Sequence, residues 1–453
     1  MMQSYRKQTR AMCSNLCIIA CIMALFLGAA VDVFGADTGE LREHRQRAAA
    51  KFHDGILLIH AKSAIDETAA GFREDPAFYY FTGLENTSGA LLAIDGPSGE
   101  SWLFVNPQPP FFKIQPPEVS ASPVVAKQLG IEHVVDWSEL EGFLAQRASS
   151  PPTLYYQASR DAAELPPNIS GGKNNKEPLW LLTIATKWPS FRLEEVGRSV
   201  TAFMDVQSPG EIVALRAAAK ATVSAVMVGM RAIRPGVSQR SVEAVVANAC
   251  WKAGAYGPWP WVMVGENAVF PRPFLSFLRY DHLNAVMHPG DLVRLDVGCE
   301  WEHYQGDLGR TVPVSGHYSD DQRETWTIFV AAYQAGAKSL REGVTVDQVF
   351  DTWRAELLRH RESANSDLAR RAIDAWSQRA NVRYWQLHTI NLDAGHVGGG
   401  PLRAGTTIAF EPIASMEGQG FYLEDMFLIT KDGAELLTPG VPCTAEEIEA
   451  AMR

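Results

Sequence analysis

Carboxylates embedded in apolar segments constrain this chain more than any other feature of its sequence. Asp296 stands inside the run LVRLDVG, and Asp307 follows in the next strand-like segment. Glu411 ends the segment TTIAFEP, and Glu424 lies within FYLEDMFLI. Burying several negative charges side by side is costly unless each carboxylate protonates or meets a cation. The pattern therefore predicts strands that gather around bound cations.

Two histidines lie between the acid pairs and can add a nitrogen ligand. Carboxylates with one imidazole suit manganese, zinc, cobalt or iron better than copper or an iron–sulfur cluster. Each acid taken alone would more often be a strand-end carboxylate in a salt bridge. Taken together, the residues predict a pair of divalent ions bound by Asp296, Asp307, Glu411 and Glu424, with a nitrogen ligand from His388 or His396. Alternation in a strand places only one of Glu424 and Asp425 inward, and the flanking residues do not decide which.

The N-terminus has the order of a secretory signal. Arg6, Lys7 and Arg10 precede an apolar run over residues 16–31, and small residues follow near Ala36. This order predicts a signal peptide over residues 1–35 and therefore an exported protein, periplasmic or secreted, that is free of the membrane after cleavage. The alternative is a retained membrane anchor, because the run is close to the minimum spanning length.

Size, charge and cysteine content narrow the class of protein further. A chain of 453 residues predicts two domains. Its net charge of −11 argues against nucleic acid as a partner and is compatible with a cation site rich in carboxylates. Removal of the signal leaves Cys250, Cys299 and Cys443, which allow one disulfide without indicating which pair forms it.

The order of helical and strand-like segments supports a division into two parts. Strand-like runs in the first part predict a small α/β domain and comprise residues 55–60, 77–83, 90–94 and 102–105. In the second part Ser208 and Pro209 predict a helix start, and helical blocks cover residues 212–233, 241–253, 320–340 and 346–378. Three strand-like segments close the chain, at residues 406–410, 421–430 and 435–437.

Five segments carry a resemblance to a known family. Residues 287–300 and 306–316, with Phe410-Glu-Pro412 and Leu423-Glu-Asp425, resemble the pita-bread metallopeptidases (M24) of the aminopeptidase P and prolidase branch. Residues 73–83 are similar to the N-terminal domain of that branch. The resemblance implies an α+β fold, in which a smaller α/β domain over 36–190 precedes a pita-bread domain with a curved antiparallel sheet over 191–453.

The resemblance also implies a role for each candidate residue. Asp296 would bind one metal ion, Asp307 and Glu424 would bridge both, and His388 and Glu411 would bind the second. Manganese is the first expectation, with zinc or cobalt as alternatives. Glu411 would pass a proton to the leaving amine, and His396 would hydrogen-bond the substrate. The family pattern has six residues between its two histidines where this chain has seven, so an exchange of roles between His388 and His396 stays open.

Other positions depart from the family pattern. Family histidines align with Arg279 and Tyr384, an arginine aligns with Tyr422, and a threonine aligns with Gly309. His282 is the candidate replacement for the first missing histidine, although a lone loop histidine is more often merely exposed.

The resemblance implies hydrolysis of the Xaa-Pro bond at the N-terminus of a peptide substrate, and it is compatible with a homodimer. The departures keep two alternatives open. One is hydrolysis of a different C–N bond on the same scaffold, and the other is a catalytically silent binding module.

Overall fold

The computed structural model describes residues 37–62, 73–85, 87, 89–106, 119–157, 179–269, 284–379, 386–392, 394–396 and 400–453. The predicted signal peptide lies outside these ranges. The described residues form two compact units. One consists of residues up to Asp66 with Phe81–Glu195, and the other consists of Glu67–Tyr80 with Val196–Arg453.

The first unit is built on a six-stranded mixed sheet in the order β4-β3-β2-β1-β5-β6. Strands β1, β2 and β3 pair antiparallel, whereas β4, β5 and β6 add in parallel. The strands are β1 (Gly55–His60), β2 (Leu91–Asp95), β3 (Ser101–Val105), β4 (His133–Asp136), β5 (Thr153–Tyr156) and β6 (Arg192–Glu195). The helices of this unit are α1 (Thr38–Lys51), α3 (Pro123–Leu129), α4 (Glu139–Arg147) and α5 (Leu179–Lys187).

The prediction of a strand over residues 77–83 is wrong, because helix α2 (Pro76–Thr82) lies there. Asp75 explains the helix, since its Oδ1 accepts hydrogen bonds from the backbone N–H groups of Ala77 (2.9 Å) and Phe78 (3.1 Å). Pro76 suits the first helical turn because it has no N–H to satisfy. The other three predicted strands of the first unit correspond to β1, β2 and β3.

The second unit contains a ten-stranded sheet whose pairings are all antiparallel. Its main path runs β12-β11-β13-β15-β10-β8-β7, with β14 and β16 paired to β15 and β9 paired to β8. The strands are β7 (Tyr256–Val264), β8 (Leu292–Trp301), β9 (Tyr304–Gln305), β10 (Leu308–Pro313), β11 (Gln386–Ile390), β12 (Ala394–His396), β13 (Thr407–Glu411), β14 (Ile413–Met416), β15 (Gln419–Ile429) and β16 (Ala434–Leu436).

Helices of the second unit begin where the sequence places capping residues. Ser208 and Glu211 form a capping box at the start of α7, and Thr345 with Gln348 does the same at the start of α10. The helices are α6 (Gly197–Thr201), α7 (Pro209–Ala232), α8 (Gln239–Lys252), α9 (Asp320–Ser339), α10 (Val346–Arg359), α11 (Asp367–Trp376) and α12 (Ala445–Ala451). Short 3₁₀ turns cover Ala202–Met204 and Gly265–Ala268.

The helical block predicted over residues 346–378 is two helices rather than one. Helix α10 ends at Arg359, and α11 begins after Ser366, whose side chain accepts a hydrogen bond from Ala369 N at 3.1 Å. Glu324 accepts the backbone N–H of Ser366 at 2.7 Å and fixes the connection. The N-cap at Ser366 therefore ends what apolar periodicity alone reads as a continuous helix.

Helix α7 positions the strand that carries Asp296. Thr222 Oγ1 accepts the backbone N–H of Cys299 at 3.0 Å and donates to Ala218 O at 2.9 Å. By length and composition α7 would also suit a membrane span, but half of that stretch is buried, as expected of a core helix. A disulfide between Cys250 and Cys299 joins α8 to β8, which identifies the pair that the sequence left open. Cys443 is the free cysteine among the described residues.

Alternation along β15 separates two faces of the sheet. The ring of Phe421 lies 6.4 Å from that of Phe329 on α9 and 5.1 Å from that of Trp376 on α11. Phe421 therefore faces the helices, and its neighbours Tyr422 and Glu424 face the opposite side. The buried cluster on the helical side is the core of this unit, and the opposite side carries the candidate site.

Candidate metal centre

Neighbouring strands bring the four predicted acids to one face of the sheet. Asp296 lies on β8, Asp307 directly precedes β10, Glu411 ends β13 and Glu424 lies on β15. Gly309 of β10 is opposite Asp296 on one side and opposite Glu424 on the other, so these two acids share a row across the sheet. All four side chains are buried. Strands β8 and β10, which carry or adjoin Asp296 and Asp307, pair antiparallel.

His388 on β11 completes the cluster. Its Nε2 lies 3.3 Å from Glu411 Oε1, 3.6 Å from Asp307 Oδ2 and 3.9 Å from Glu424 Oε1. Its Nδ1 lies 3.0 Å from the carbonyl oxygen of Thr389. A hydrogen bond from Nδ1–H to that carbonyl leaves Nε2 as the nitrogen that can bind a metal ion.

Burial of the cluster disfavours negative charge on three of its acids. Burial raises the pKa of Asp296, and it holds the pKa values of Asp307 and Glu424 well above their ordinary range. Burial lowers the pKa of His388, but the hydrogen bond and charge of Glu411 more than offset it and raise the pKa to about 9. Burial and repulsion between neighbouring carboxylates both raise the pKa of an acid, and a bound divalent cation lowers it.

Two carboxylate oxygen atoms in the cluster are suited to bind a metal ion. Asp307 Oδ1 and Glu424 Oε1 are buried and have no hydrogen-bond partner among the described residues. Donor atoms of Asp307, His388 and Glu424 all lie within 4.8 Å of one another. Buried acceptors are normally satisfied, so this group of oxygens with one imidazole nitrogen fits divalent cations.

The partners of Asp425 show which of Glu424 and Asp425 in β15 faces the cluster. Its carboxylate accepts hydrogen bonds from Arg310 Nη2 (2.9 Å), Tyr333 Oη (3.0 Å) and Thr438 Oγ1 (2.8 Å) on the helical side of the sheet. Glu424 therefore faces the cluster, and Asp425 fastens β15 to β10 and α9.

The structure adds Arg294, which sequence reasoning did not place at the site, and it gives contacts to Tyr422, which the sequence had marked only as a departure from the family pattern. Arg294 Nη2 donates to Asp296 Oδ2 at 2.6 Å. The hydroxyl of Tyr422 lies 2.8 Å from Glu411 Oε2 and 2.5 Å from Glu424 Oε2. Both stand two residues before an acid on an alternating strand, which was the available signal that they share its face.

The remaining predicted site residues are only partly described. The backbone of His396 lies in β12 and pairs with His388. His282, Arg279 and Tyr384 lie outside the described residues. The assignment of individual side chains as metal ligands or catalytic groups stays a prediction.

Two families match this chain. Residues 213–431 match Metallopeptidase family M24, and residues 41–155 match the Aminopeptidase P, N-terminal domain. The Xaa-Pro aminopeptidase of Escherichia coli (strain K12) is 27% identical over 444 residues, which are 91% of this chain and 97% of that relative. The Xaa-Pro aminopeptidase of Haemophilus influenzae is 23% identical over 454 residues, again 91% and 97% of the two chains.

Solved structures show the same fold. Escherichia coli aminopeptidase P with the inhibitor Pro-Leu superposes with a TM-score of 0.73 at 24% identity, over 92% of this chain and 98% of that one. Proline aminopeptidase P II from Yersinia pestis has a TM-score of 0.73 at 22% identity, over 92% and 99%. These likenesses confirm the predicted fold class, a pita-bread domain preceded by a smaller N-terminal domain.

Proposed function

Because residues 213–431 form a metallopeptidase domain of family M24 that follows an aminopeptidase P N-terminal domain in the sequence, we propose that this chain is a metal-dependent Xaa-Pro aminopeptidase that uses two divalent ions. The substrate is the N-terminal Xaa-Pro bond of a peptide. The observation that carries the proposal is the convergence of four buried carboxylates and His388 on one face of the sheet. The names of the relatives support the choice of substrate.

Each residue of the cluster takes a role that its position supports. Asp296, Asp307, His388, Glu411 and Glu424 would hold the ions. Divalent ions bound there would polarise a scissile carbonyl and activate a water molecule at neutral pH. Glu411 would pass a proton to the leaving amine, and His396 and His282 would hydrogen-bond the substrate. We propose manganese as the native metal, with zinc or cobalt as alternatives.

The central experiment measures metal content and hydrolysis on the same preparation. The purified chain is stripped of metal, reloaded with Mn²⁺, Co²⁺ or Zn²⁺, and assayed on peptides that differ only in proline or alanine at the second position. We expect two ions per chain and release of the first residue from the proline peptide alone. Full loading without turnover of any Xaa-Pro peptide would contradict the peptidase, whereas failure to bind metal would favour the silent binding module.

The variant His388→Ala tests the cluster itself. Loss of its ring nitrogen should weaken binding of one ion by about 100-fold and reduce kcat at least as much. The control is His288→Ala, whose side chain is 73% exposed in the same unit. Isothermal titration with Mn²⁺ measures the affinity, and unchanged binding in His388→Ala would favour His396 as the ligand.

A second candidate function is hydrolysis of a different C–N bond. The observation that favours it is the contact of Tyr422 with Glu411 and Glu424, at a position where the family pattern has arginine. A substrate panel of Xaa-Pro peptides, other dipeptides and small amides separates the two candidates. Efficient turnover of Xaa-Pro peptides alone would dismiss this second function.

We also propose that the chain is exported. The basic and apolar start of the sequence supports this, and so does the buried disulfide, because disulfides persist mainly in oxidising compartments. Cell fractionation with mass spectrometry of the N-terminus tests it. A mature chain that begins near residue 36 is expected, and a full-length cytoplasmic chain with free thiols would contradict export.

We also propose that the chain forms a homodimer, because the family resemblance is compatible with one. Sedimentation velocity of the metal-loaded chain tests it, and a monomer at all concentrations would contradict it.

A further inference from the structure

Two adjacent rows of side chains cross the sheet at the candidate metal centre. In one row Asp296 on β8 is opposite Gly309 on β10, which is opposite Glu424 on β15. In the next row Arg294 on β8 is opposite Thr311 on β10, and Thr311 Oγ1 accepts the backbone N–H of Tyr422 at 2.8 Å. Arg294 and Tyr422 therefore lie beside the acids and on the same face of the sheet.

Arg294 is a buried cation with few partners. Its side chain is 4% exposed, and Nη2 donates to Asp296 Oδ2 at 2.6 Å. Its Nε and Nη1 atoms have no hydrogen-bond partner among the described residues. The guanidinium also lies 3.8 Å from the centroid of the Tyr422 ring. The carboxylate of Asp296 and this ring thus hold the guanidinium in place.

Tyr422 extends the contact from Arg294 to two further acids. Its hydroxyl lies 2.8 Å from Glu411 Oε2 and 2.5 Å from Glu424 Oε2, and the residue is 1% exposed. The ring reaches this position because position 309 is glycine, since a Cβ there would lie 1.8 Å from Cε1 of the ring. One connected group thus joins Arg294 to three of the four acids.

We infer that Arg294 is a positioning residue for the metal ligands. It orients Asp296 directly and orients Glu411 and Glu424 through the ring and hydroxyl of Tyr422. The family resemblance aligns an arginine with Tyr422, whereas in this chain the cation beside Asp296 is Arg294 on β8, and a tyrosine ring lies over Gly309. The inference deepens the proposed function and rests on it for the identity of the ligands.

Two possible roles of Arg294, charge compensation and ligand positioning, predict opposite changes in Mn²⁺ affinity for Arg294→Met. If Arg294 only compensated charge, its removal would make the net charge of the site more negative and would strengthen Mn²⁺ binding. If it positions the ligands, its removal weakens binding, by about 10- to 100-fold as is usual for groups that orient metal ligands. Arg294→Lys separates the effects again, because it keeps the charge and loses the planar group that stacks on the ring.

The experiment is titration of metal-stripped protein with Mn²⁺ by calorimetry, which needs no substrate. We expect weaker binding in both Arg294→Met and Arg294→Lys, and recovery of at least 10-fold in the relocated variant R294M/G309T/Y422R. The control is Arg361→Met, which removes a surface arginine paired with Asp374 in the same unit. Equal or tighter binding by Arg294→Met would overturn the inference, whatever the protein hydrolyses.

A milder variant covers the case in which Arg294→Met does not fold, as judged by circular dichroism. Tyr422→Phe keeps the ring and its contact with Arg294 but removes the hydroxyl between Glu411 and Glu424. We expect about 10-fold weaker Mn²⁺ binding with thermal unfolding of the metal-free protein close to wild type. Wild-type affinity in Tyr422→Phe would overturn the link from Arg294 to Glu411 and Glu424. Absence of Xaa-Pro turnover in wild type would instead contradict only the proposed function.

Discussion

Gly309 leaves room on β10 for an aromatic ring that comes from the neighbouring strand. Besides the approach to Cε1, a Cβ atom there would lie 2.6 Å from Cδ1 and 2.8 Å from Cζ of Tyr422. The ring is buried and stacked against Arg294, so it has little space to move away. We expect Gly309→Ala to lower the free energy of unfolding by about 1–3 kcal/mol, the usual cost of overpacking.

Urea unfolding of the metal-free protein measures this loss, and a double-mutant cycle identifies its cause. In Tyr422→Ala the ring is absent, so the same change at 309 should cost much less. Gly400→Ala is the control, because a Cβ at that position meets nothing within 4 Å. An equal cost of Gly309→Ala in both backgrounds would show that the ring is not the cause.

Sequence patterns predicted the four acids and His388, since a carboxylate within an apolar strand is conspicuous by itself. They did not predict the connection between Arg294, Gly309 and Tyr422, which depends on the register of three strands that are far apart in the chain. Glu424 and Asp425 could not be told apart for a similar reason. Both side chains are buried, and the partners of Asp425 together with the pairing of β15 show which side each one faces.

Among the helices and strands, capping residues determine the structure of a short segment whose type apolar periodicity does not distinguish. The apolar run at residues 77–82 is too short to show a helical period, and Asp75 with Pro76 determines that it is helical. Longer elements such as α8 and α9 were predicted within about two residues at each end, because caps and apolar periodicity agree there.

The capping box of α7 gives a prediction at this scale. Ser208 Oγ accepts Glu211 N at 3.2 Å, and Glu211 Oε2 accepts Ser208 N at 2.8 Å. Ser208→Ala should lower the free energy of unfolding by about 1 kcal/mol. Ser224→Ala is the matched control, because this exposed serine in the middle of α7 bonds only to Lys220 O and should cost nothing or slightly stabilise the helix. Urea unfolding measures both, and similar losses would argue against the cap.

The disulfide acts on the stability of the molecule as a whole. It closes a loop of 49 residues between α8 and the strand that carries Asp296. Chain-entropy arguments assign a loop of this length about 4 kcal/mol, and removal of native disulfides usually costs about 2–5 kcal/mol. We expect C250A/C299A to lose stability in this range in urea unfolding. Dithiothreitol should destabilise wild type and Cys443→Ser alike but leave C250A/C299A unchanged, and a response of C250A/C299A would contradict this.

Acid should weaken the first unit through His60. Burial lowers the pKa of His60 from 6.5 to about 4 in the folded chain. Below pH 6.5 the unfolded chain therefore binds a proton that the folded chain does not, and stability falls as the pH drops towards 4. The slope is at most about 1.4 kcal/mol per pH unit. Urea unfolding should show this extra loss in wild type relative to His60→Gln, whereas the exposed control His53→Gln should behave as wild type.

The packing of the Tyr422 ring over Gly309 also favours one order in which substitutions at these two positions arose during evolution. A lineage that starts from threonine and arginine at these positions would lose stability by acquiring tyrosine first, because a side chain at 309 occupies the space of the ring. Glycine before tyrosine is therefore the favoured order, and Arg294 gains its stacking partner with the tyrosine. Among homologues, glycine at 309 with arginine at 422 should accordingly be more frequent than a larger residue at 309 with tyrosine at 422.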